Sequence, residues 1–431
     1  METVRTEILP GVSLTCLHTK KFKTDCMSIS LLTQHQRDTA SLNAVLPYVL
    51  RRGTRYHPDM ESISAALDEL YGTCIEPVVR RVGEIQCIGF YANMPSTAYL
   101  PSGGVMRSAA ELMCEMLLSP NTKGGLLLPA YVDSEKDKLL ERIRARVNDK
   151  IGYSVQRLFE EMCCYEDFSV PRLGTESGAE GIYYQKLTKH YRNLLATCPV
   201  EIFYCGSEEP EAVAEVFRDA LCGMPRGELD YEIGTDIRMN AVENEPRYFT
   251  EELNVTQGKL ALGFRLGECM EEPDIAAISV FNCVYGSGVT SKLFMNVREK
   301  LSLCYFASSS VNTHKGLMCV FSGIDFDKYE DAKAEILAQL EDVRSGNISE
   351  EELNAARTNV ASSLRVIPDS AGDLEGFWLA NIIDGIDYEP EELAELCENV
   401  SREDVIAIAN SVVLDAVYFL QGNGEEADDE E

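Results

Sequence analysis

The sequence predicts an α+β protein built of two similar halves, and three observations carry that prediction. Short apolar or alternating runs suited to strands are interleaved with longer runs whose apolar residues recur at helical spacing. Past residue 257 the same order of elements returns, as an internal duplication would give. Between the two series lies Cys222–Thr256, a polar, poorly periodic stretch containing Pro225, Gly227, Gly234 and Pro246. The expected organisation is a first half over residues 1–221, a connector over 222–256 and a second half over 257–423. An acidic tail over 424–431, expected to be disordered, closes the chain.

In the first half, Thr3–Leu17 reads as an opening strand with a turn at Pro10-Gly11, and Asp25–Thr33 as its hairpin partner. Ser41–Thr54 reads as an apolar helix, with Leu42, Val45, Leu46, Val49 and Leu50 at helical spacing. Arg51-Arg52-Gly53 supplies cations in its last turn and a glycine suited to a left-handed cap. A second helix starts near Pro58-Asp59, with acids in its first turn, and stops at Gly72. Ile75–Arg81 and Glu84–Ala92 read as strands, and Pro77 places the first of them at a sheet edge because it cannot donate to a ladder. Helices follow over Gly104–Leu118 and Pro129–Ala145, then a buried strand at Glu201–Gly206 and a helix at Pro210–Leu221.

In the second half, Lys259–Phe264 is a strand, Asp274–Tyr285 an apolar helix and Ser291–Lys300 a further helix. Strands at Cys304–Val311 and Leu317–Gly323 precede helices at Asp327–Ser345, Ser349–Leu364 and Ser401–Ser411, and Ala416–Leu420 is the last strand. Four segments of this series match the first: Val45–Thr54 with Ala277–Gly286, Ile85–Phe90 with Leu317–Phe321, the start at Ser134 with that at Ser349, and Leu187–Gly206 with Val400–Gly422. Gly286-Ser-Gly288 is read as a turn between helices, since no G-K-[ST] follows it to cradle phosphate.

Composition narrows the function. With 39 basic and 71 acidic residues the chain carries a formal charge of −32, which argues against nucleic acid and anionic membrane surfaces as partners. No apolar run approaches a membrane span and no basic segment followed by an apolar core opens the sequence. Fifteen cysteines scattered without a framework point to a reducing, cytoplasmic setting. The five histidines (His18, His35, His57, His190 and His314) include no two that lie three or four residues apart, so no helix offers a paired-histidine metal site.

The frame of Ser41–Thr54 resembles the first catalytic helix of the pitrilysin/insulinase family, the inverted zincins, in which an apolar helix carrying H-x-x-E-H runs into a Gly-Thr exit. Anchoring on Gly53-Thr54 places Ala44 and Tyr48 at the histidine positions and Pro47 at the glutamate position. Ala44 has no ligand atom, Tyr48 is a poor zinc ligand and Pro47 cannot polarise a water. The family takes its third zinc ligand from a glutamate on a later helix, in a pattern like E-x-x-x-x-x-x-E-I. Here Glu135-Lys-Asp-Lys-Leu-Leu-Glu-Arg142-Ile143 fits that pattern except that Arg142 stands at the ligand position. Glu141 lies one residue off, about 100° around a helix. Arg142 reads plainly as a solvated or salt-bridged helix cation, and it also has the charge and size to fill the vacated space. No metal ligand and no catalytic residue is therefore expected, and any zinc is expected in a partner subunit.

Ser291-Lys-Leu-Phe-Met-Asn-Val-Arg298-Glu-Lys-Leu-Ser-Leu-Cys-Tyr305 resembles the family's S-x-L-F…R-E-x-x-G-L-x-Y segment, with Ser302 in place of the usual glycine. In the family this arginine and tyrosine bind the substrate backbone and help to stabilise the tetrahedral oxyanion, work that suits two strong hydrogen-bond donors. Taken alone, Arg298 would read as a surface helix cation and Tyr305 as a half-buried strand residue; the matching frame favours the substrate-binding role.

The resemblance covers nearly the whole chain. It implies two halves, each a mixed sheet with helices packed on one face, closing like a clamshell around a peptide chamber. In two-chain members such as mitochondrial processing peptidase and bacterial zinc-peptidase pairs, one chain keeps H-x-x-E-H and the other does not. The expected function is thus a non-catalytic subunit that binds peptide or unfolded polypeptide and donates Arg298 and Tyr305 to a zinc-bearing homologue. Two other readings stay open: a stand-alone peptide-binding or scaffold homodimer without hydrolytic activity, and an active zinc metallopeptidase whose ligands lie elsewhere.

Overall fold

The structure, a computed structural model, describes residues 2–100 and 104–423. The chain opens with strands β1 (Glu2–Leu9), β2 (Val12–His18) and β3 (Thr24–Gln34), then helices α1 (Ala40–Leu50) and α2 (Met60–Glu69). Strands β4 (Cys74–Val82) and β5 (Ile85–Pro95) lead to α3 (Met106–Leu118), a small hairpin of β6 (Thr122–Lys123) and β7 (Leu126–Leu127), and α4 (Pro129–Arg144). Helices α5 (Lys150–Met162), α6 (Glu176–Glu180) and α7 (Tyr184–Thr197) precede β8 (Val200–Gly206) and α8 (Pro210–Leu221). The later series runs β9 (Arg247–Leu253), β10 (Gly258–Arg265), α9 (Ile275–Asn282), β11 (Phe306–Asn312), β12 (Leu317–Ile324), α10 (Tyr329–Arg344), α11 (Glu350–Val366), α12 (Ala371–Asp384), α13 (Pro390–Asn399), α14 (Arg402–Ser411) and β13 (Val413–Gly422).

These elements form two compact units. The first comprises Met1–Arg144, Val170–Gly234 and Pro368–Ile386; the second comprises Ala145–Ser169, Thr235–Ile367 and Asp387–Glu431. Each unit is a mixed sheet with helices, as the duplication and the resemblance imply. The first sheet has the order β1-β2-β8-β3-β5-β4 and the second β11-β12-β10-β13-β9. Read from its other edge, the second sheet repeats β2-β8-β3-β5-β4 strand for strand. In both, one parallel pair (β2 with β8, β9 with β13) is followed by antiparallel pairs. β5 and β12, matched from the sequence, hold equivalent places, and so do the α7–β8 and α14–β13 segments.

In the first unit Met27, Ile29 and Leu31 of β3 join α1, α3, α7 and α8 in one core. Alternate residues of the same strand face the other way. There Ser28 donates to Glu375 of α12 (2.7 Å), Cys26 donates to the Ala371 carbonyl (3.5 Å), and Leu32, Ile85 and Cys87 pack on Leu379. Arg80 completes this seat by pairing with Glu375. In the second unit Leu158 and Met162 of α5 pack on Ala261, Cys319, Ala416 and Tyr418. Gly263 is required at this contact, because a Cβ there would sit 2.5 Å from the Met162 sulfur. Each sheet thus carries one helix on its second face, and that helix is supplied by the opposite half of the sequence.

Several expectations are corrected here. Thr3–Leu17 is itself the hairpin β1–β2, and Asp25–Thr33 is not its partner: β8 inserts between β2 and β3. The connector at 222–256 is not uniform, since it ends in β9, an edge strand held by parallel pairing with β13. The contiguous halves 1–221 and 257–423 do not coincide with the compact units, because the segments bearing α5 and α12 cross over. Ser134 lies inside α4, whereas Ser349 caps α11 in a capping box with Glu352. Pro77 does lie in the edge strand β4. The acidic tail at 424–431 lies outside the described residues.

Candidate functional site

Helix α1 is buried on nearly every side, which its mostly apolar sequence dictates. Pro47 stands within it and removes the N–H that would reach the carbonyl one turn back. Ala44 is fully buried against the core, so the position that would need an imidazole presents a methyl group to apolar neighbours. Tyr48, four residues on, lies on the same helix face. The Arg142 guanidinium of α4 sits over its ring, 4.1 Å from the centroid. The structure therefore brings Tyr48 and Arg142 together, and both are half-buried.

One turn along, Arg52 stacks over Tyr131 (5.2 Å) and bonds Glu135 (3.1 Å), which also accepts from Lys138 (2.8 Å). Glu135, the acid that fits the family pattern, is thus committed to two cations. A zinc ion does not fit this set: the methyl, the imino ring and the phenol offer no soft donor pair, and the guanidinium repels a cation. Among the described residues no three His, Cys, Asp or Glu side chains are grouped so as to hold a metal.

Behind α1 lies a network that the sequence did not reveal. Asn43, fully buried, accepts through its amide oxygen from His190 Nε2 (2.6 Å) and donates through its amide nitrogen to Gln86 (2.9 Å). The Gln86 oxygen also lies 3.2 Å from Nδ1 of His35, whose Nε2–H donates to the Val170 carbonyl (2.9 Å). Burial, with a smaller push from Lys186, lowers the His190 pKa to about 4, and burial lowers that of His35 as well. These imidazoles are neutral structural groups that fix α1 to the sheet. Residues scattered over positions 35, 43, 86 and 190 leave no local signal of such a network.

In the second unit the Ser291–Tyr305 segment runs through π-helical turns at Leu293–Lys300 before β11. Arg298 rests over the Phe294 ring (4.8 Å) and stands 3.6 Å from Glu299; its side chain is 42% exposed. Ser302 has φ +49°, the left-handed conformation a glycine takes most readily, so the turn is held at a conformational cost. Tyr305 is 59% exposed rather than half-buried, and its hydroxyl donates to Asp325 (3.1 Å). That bond raises the phenol pKa and keeps it a donor. Arg298 and Tyr305 engage different neighbours, and both reach solvent.

The same unit holds an ion cluster whose Glu166, Arg265, Lys315 and Asp415 side chains are fully buried. Glu166 accepts from Arg265 (2.6 Å) and Lys315 (2.7 Å), while Asp415 accepts from Arg265 (2.8 Å) and Arg247 (2.7 Å). Burial pushes the Glu166 carboxyl up, but Arg265 and Lys315 outweigh it and leave its pKa below the usual range.

Comparison with known proteins agrees with this geometry. The family described as Peptidase M16 inactive domain matches residues 181–360. A Bacillus subtilis (strain 168) protein named "Probable inactive metalloprotease YmfF" is 30% identical over 421 residues, 96% of each chain. The crystal structure of a conserved protein from Enterococcus faecalis V583 superposes with a TM-score of 0.89 at 27% identity, covering 98% of this chain and 99% of that one. A peptidase M16 inactive domain from Pseudomonas fluorescens shares the fold, with a TM-score of 0.78 at 14% identity over 98% of each chain. With two topologically equivalent sheets, a sequence that contains no H-x-x-E-H and these relatives, the chain belongs to the pitrilysin/insulinase (M16) peptidase family as a non-catalytic member.

Proposed function

We propose that this chain is the non-catalytic subunit of a two-chain peptidase: it binds peptide or unfolded polypeptide and lends Arg298 and Tyr305 to a homologous, zinc-bearing partner. The observation that carries the reading is a contrast within one molecule. The positions matching the zinc motif are packed with a methyl, a proline and a stacked Tyr48–Arg142 pair, whereas Arg298 and Tyr305 stand exposed on a turn that retains its left-handed residue. Residues kept only for packing would be expected to sink into the core. A guanidinium and a protonated phenol are the donors that stabilise negative charge developing on a peptide carbonyl oxygen. Asp325 would hold the phenol oriented until substrate replaces it. Zinc, in this reading, resides in the partner.

The test is peptide cleavage by the chain co-purified with its zinc-bearing homologue. Arg298→Ala and Tyr305→Phe, each in this chain alone, are expected to lower kcat/KM by about tenfold or more, as loss of an oxyanion donor does. Unchanged cleavage in both variants overturns the donation of these residues. Peptide binding by the chain alone, with no partner and no hydrolysis, would replace this reading with that of a stand-alone peptide-binding homodimer.

A further inference from the structure

The cation at the third metal-ligand position is placed to take a ligand of its own. Four arginines lie on or beside α1 and α4, and three are answered by carboxylates: Arg51 by Glu76 (3.0 Å), Arg52 by Glu135 (3.1 Å) and Arg144 by Glu176. Arg142 is not. Among the described residues no carboxylate pairs with it, although the chain has 71 acidic residues to offer. Its Nε donates to the Lys138 carbonyl at 3.3 Å, and its Nη2 is shielded from solvent without a hydrogen-bond acceptor. Tyr48 covers one face of the guanidinium and fixes its plane, so the unmet N–H donor is held in one direction. On the facing helix Ala44 and Pro47 supply no competing anion.

We infer that the vacated metal site between α1 and α4 is a carboxylate-binding site, in which Arg142, stacked on Tyr48, receives a peptide's C-terminal carboxylate or an aspartate or glutamate side chain. A guanidinium forms charge-assisted hydrogen bonds to a carboxylate, and desolvation on one face strengthens them. Arg142 puts a positive charge at the position matched to a metal ligand, and the group that answers this charge belongs to the bound peptide. This assignment rests on the peptide-binding reading above and adds the chemical class that the site selects, against the preference for basic peptides that net charge alone would suggest.

The test uses the full chain and one labelled peptide sequence in three forms: with a free C-terminal carboxylate, as the C-terminal amide, and as the amide with one internal glutamate. Fluorescence anisotropy is expected to show one or both acidic forms binding about tenfold or more tighter than the plain amide, the value of a charge-assisted pair. Whichever form gains identifies the source of the carboxylate. Arg142→Gln is expected to erase the difference and Arg142→Lys to keep part of it, with thermal unfolding confirming that each variant is folded. Equal binding of all three peptides by the unmodified protein overturns the site while leaving peptide binding intact, and so does a difference that survives Arg142→Gln. Failure to bind any of the three overturns both readings.

Discussion

The two units spend their buried polar groups in different ways. Behind α1 the first unit uses neutral side chains, His35, Gln86, Asn43 and His190, in a chain of hydrogen bonds. The second unit buries full charges, with Glu166 and Asp415 set among Arg265, Lys315 and Arg247. Neutral networks tolerate partial loss because each bond is worth about 1 kcal/mol net. Buried ions do not, because removing one partner strands a charge in a medium that cannot solvate it. The ion cluster of the second unit is therefore the more brittle network, and the hydrogen-bonded chain behind α1 the softer one.

The contrast breaks most clearly at Arg265. Arg265→Ala should cost about 3–5 kcal/mol by leaving Glu166 and Asp415 short of a cation, read as a fall in the denaturant midpoint. Asn43→Ala in the first unit should cost about 1–3 kcal/mol, since His190 and Gln86 lose one partner each and keep no charge to strand. A comparable loss in the two variants would erase the distinction drawn between the networks.

Acid sharpens the comparison. The folded pKa of His190, about 4, lies below its unfolded value of about 6.5, so the unfolded chain takes the proton first. The stability His190 contributes is complete above pH 6.5 and drains as pH falls towards 4, by on the order of 1–3 kcal/mol. Asp25 and Glu201, whose carboxyl pKa values burial raises, act in the opposite direction in the same unit. The measurement is therefore a difference: a His190→Phe variant should show a shallower loss of stability than the parent over that window. Glu166 has a depressed folded pKa, so its share is present above the ordinary carboxylate range and goes only as pH drops below it. Hydrogen exchange followed against pH should show the amides around α1 losing protection before those around β10. The smallest effect belongs to the exposed pair: Arg298→Ala and Tyr305→Phe should leave stability within about 0.5 kcal/mol of the parent by thermal unfolding.

Most elements of both halves were legible because their apolar periodicity is local. What was not legible depends on partners far away in sequence. β9 alternates half-buried and exposed residues in a polar heptapeptide, and only its pairing with β13 makes it a strand. α12 carries Gly372 and Gly376 and apolar residues on more than one side, which blurs a helical pattern. Nothing in α5 or α12 encodes which sheet will receive it. The ion cluster bonds residues up to 168 positions apart, and no short window of sequence contains it.

The crossing of α5 and α12 also dictates an order of events during synthesis. The sheet of the first unit is fully encoded by residue 206, yet its second face has no helix until Ala371–Asp384 has left the ribosome. For the whole time that the later strands are being made, Leu32, Ile85 and Cys87 have no helix over them, and this stage is where a chaperone or an aberrant association would act. The nascent chain completes its first-begun unit almost last.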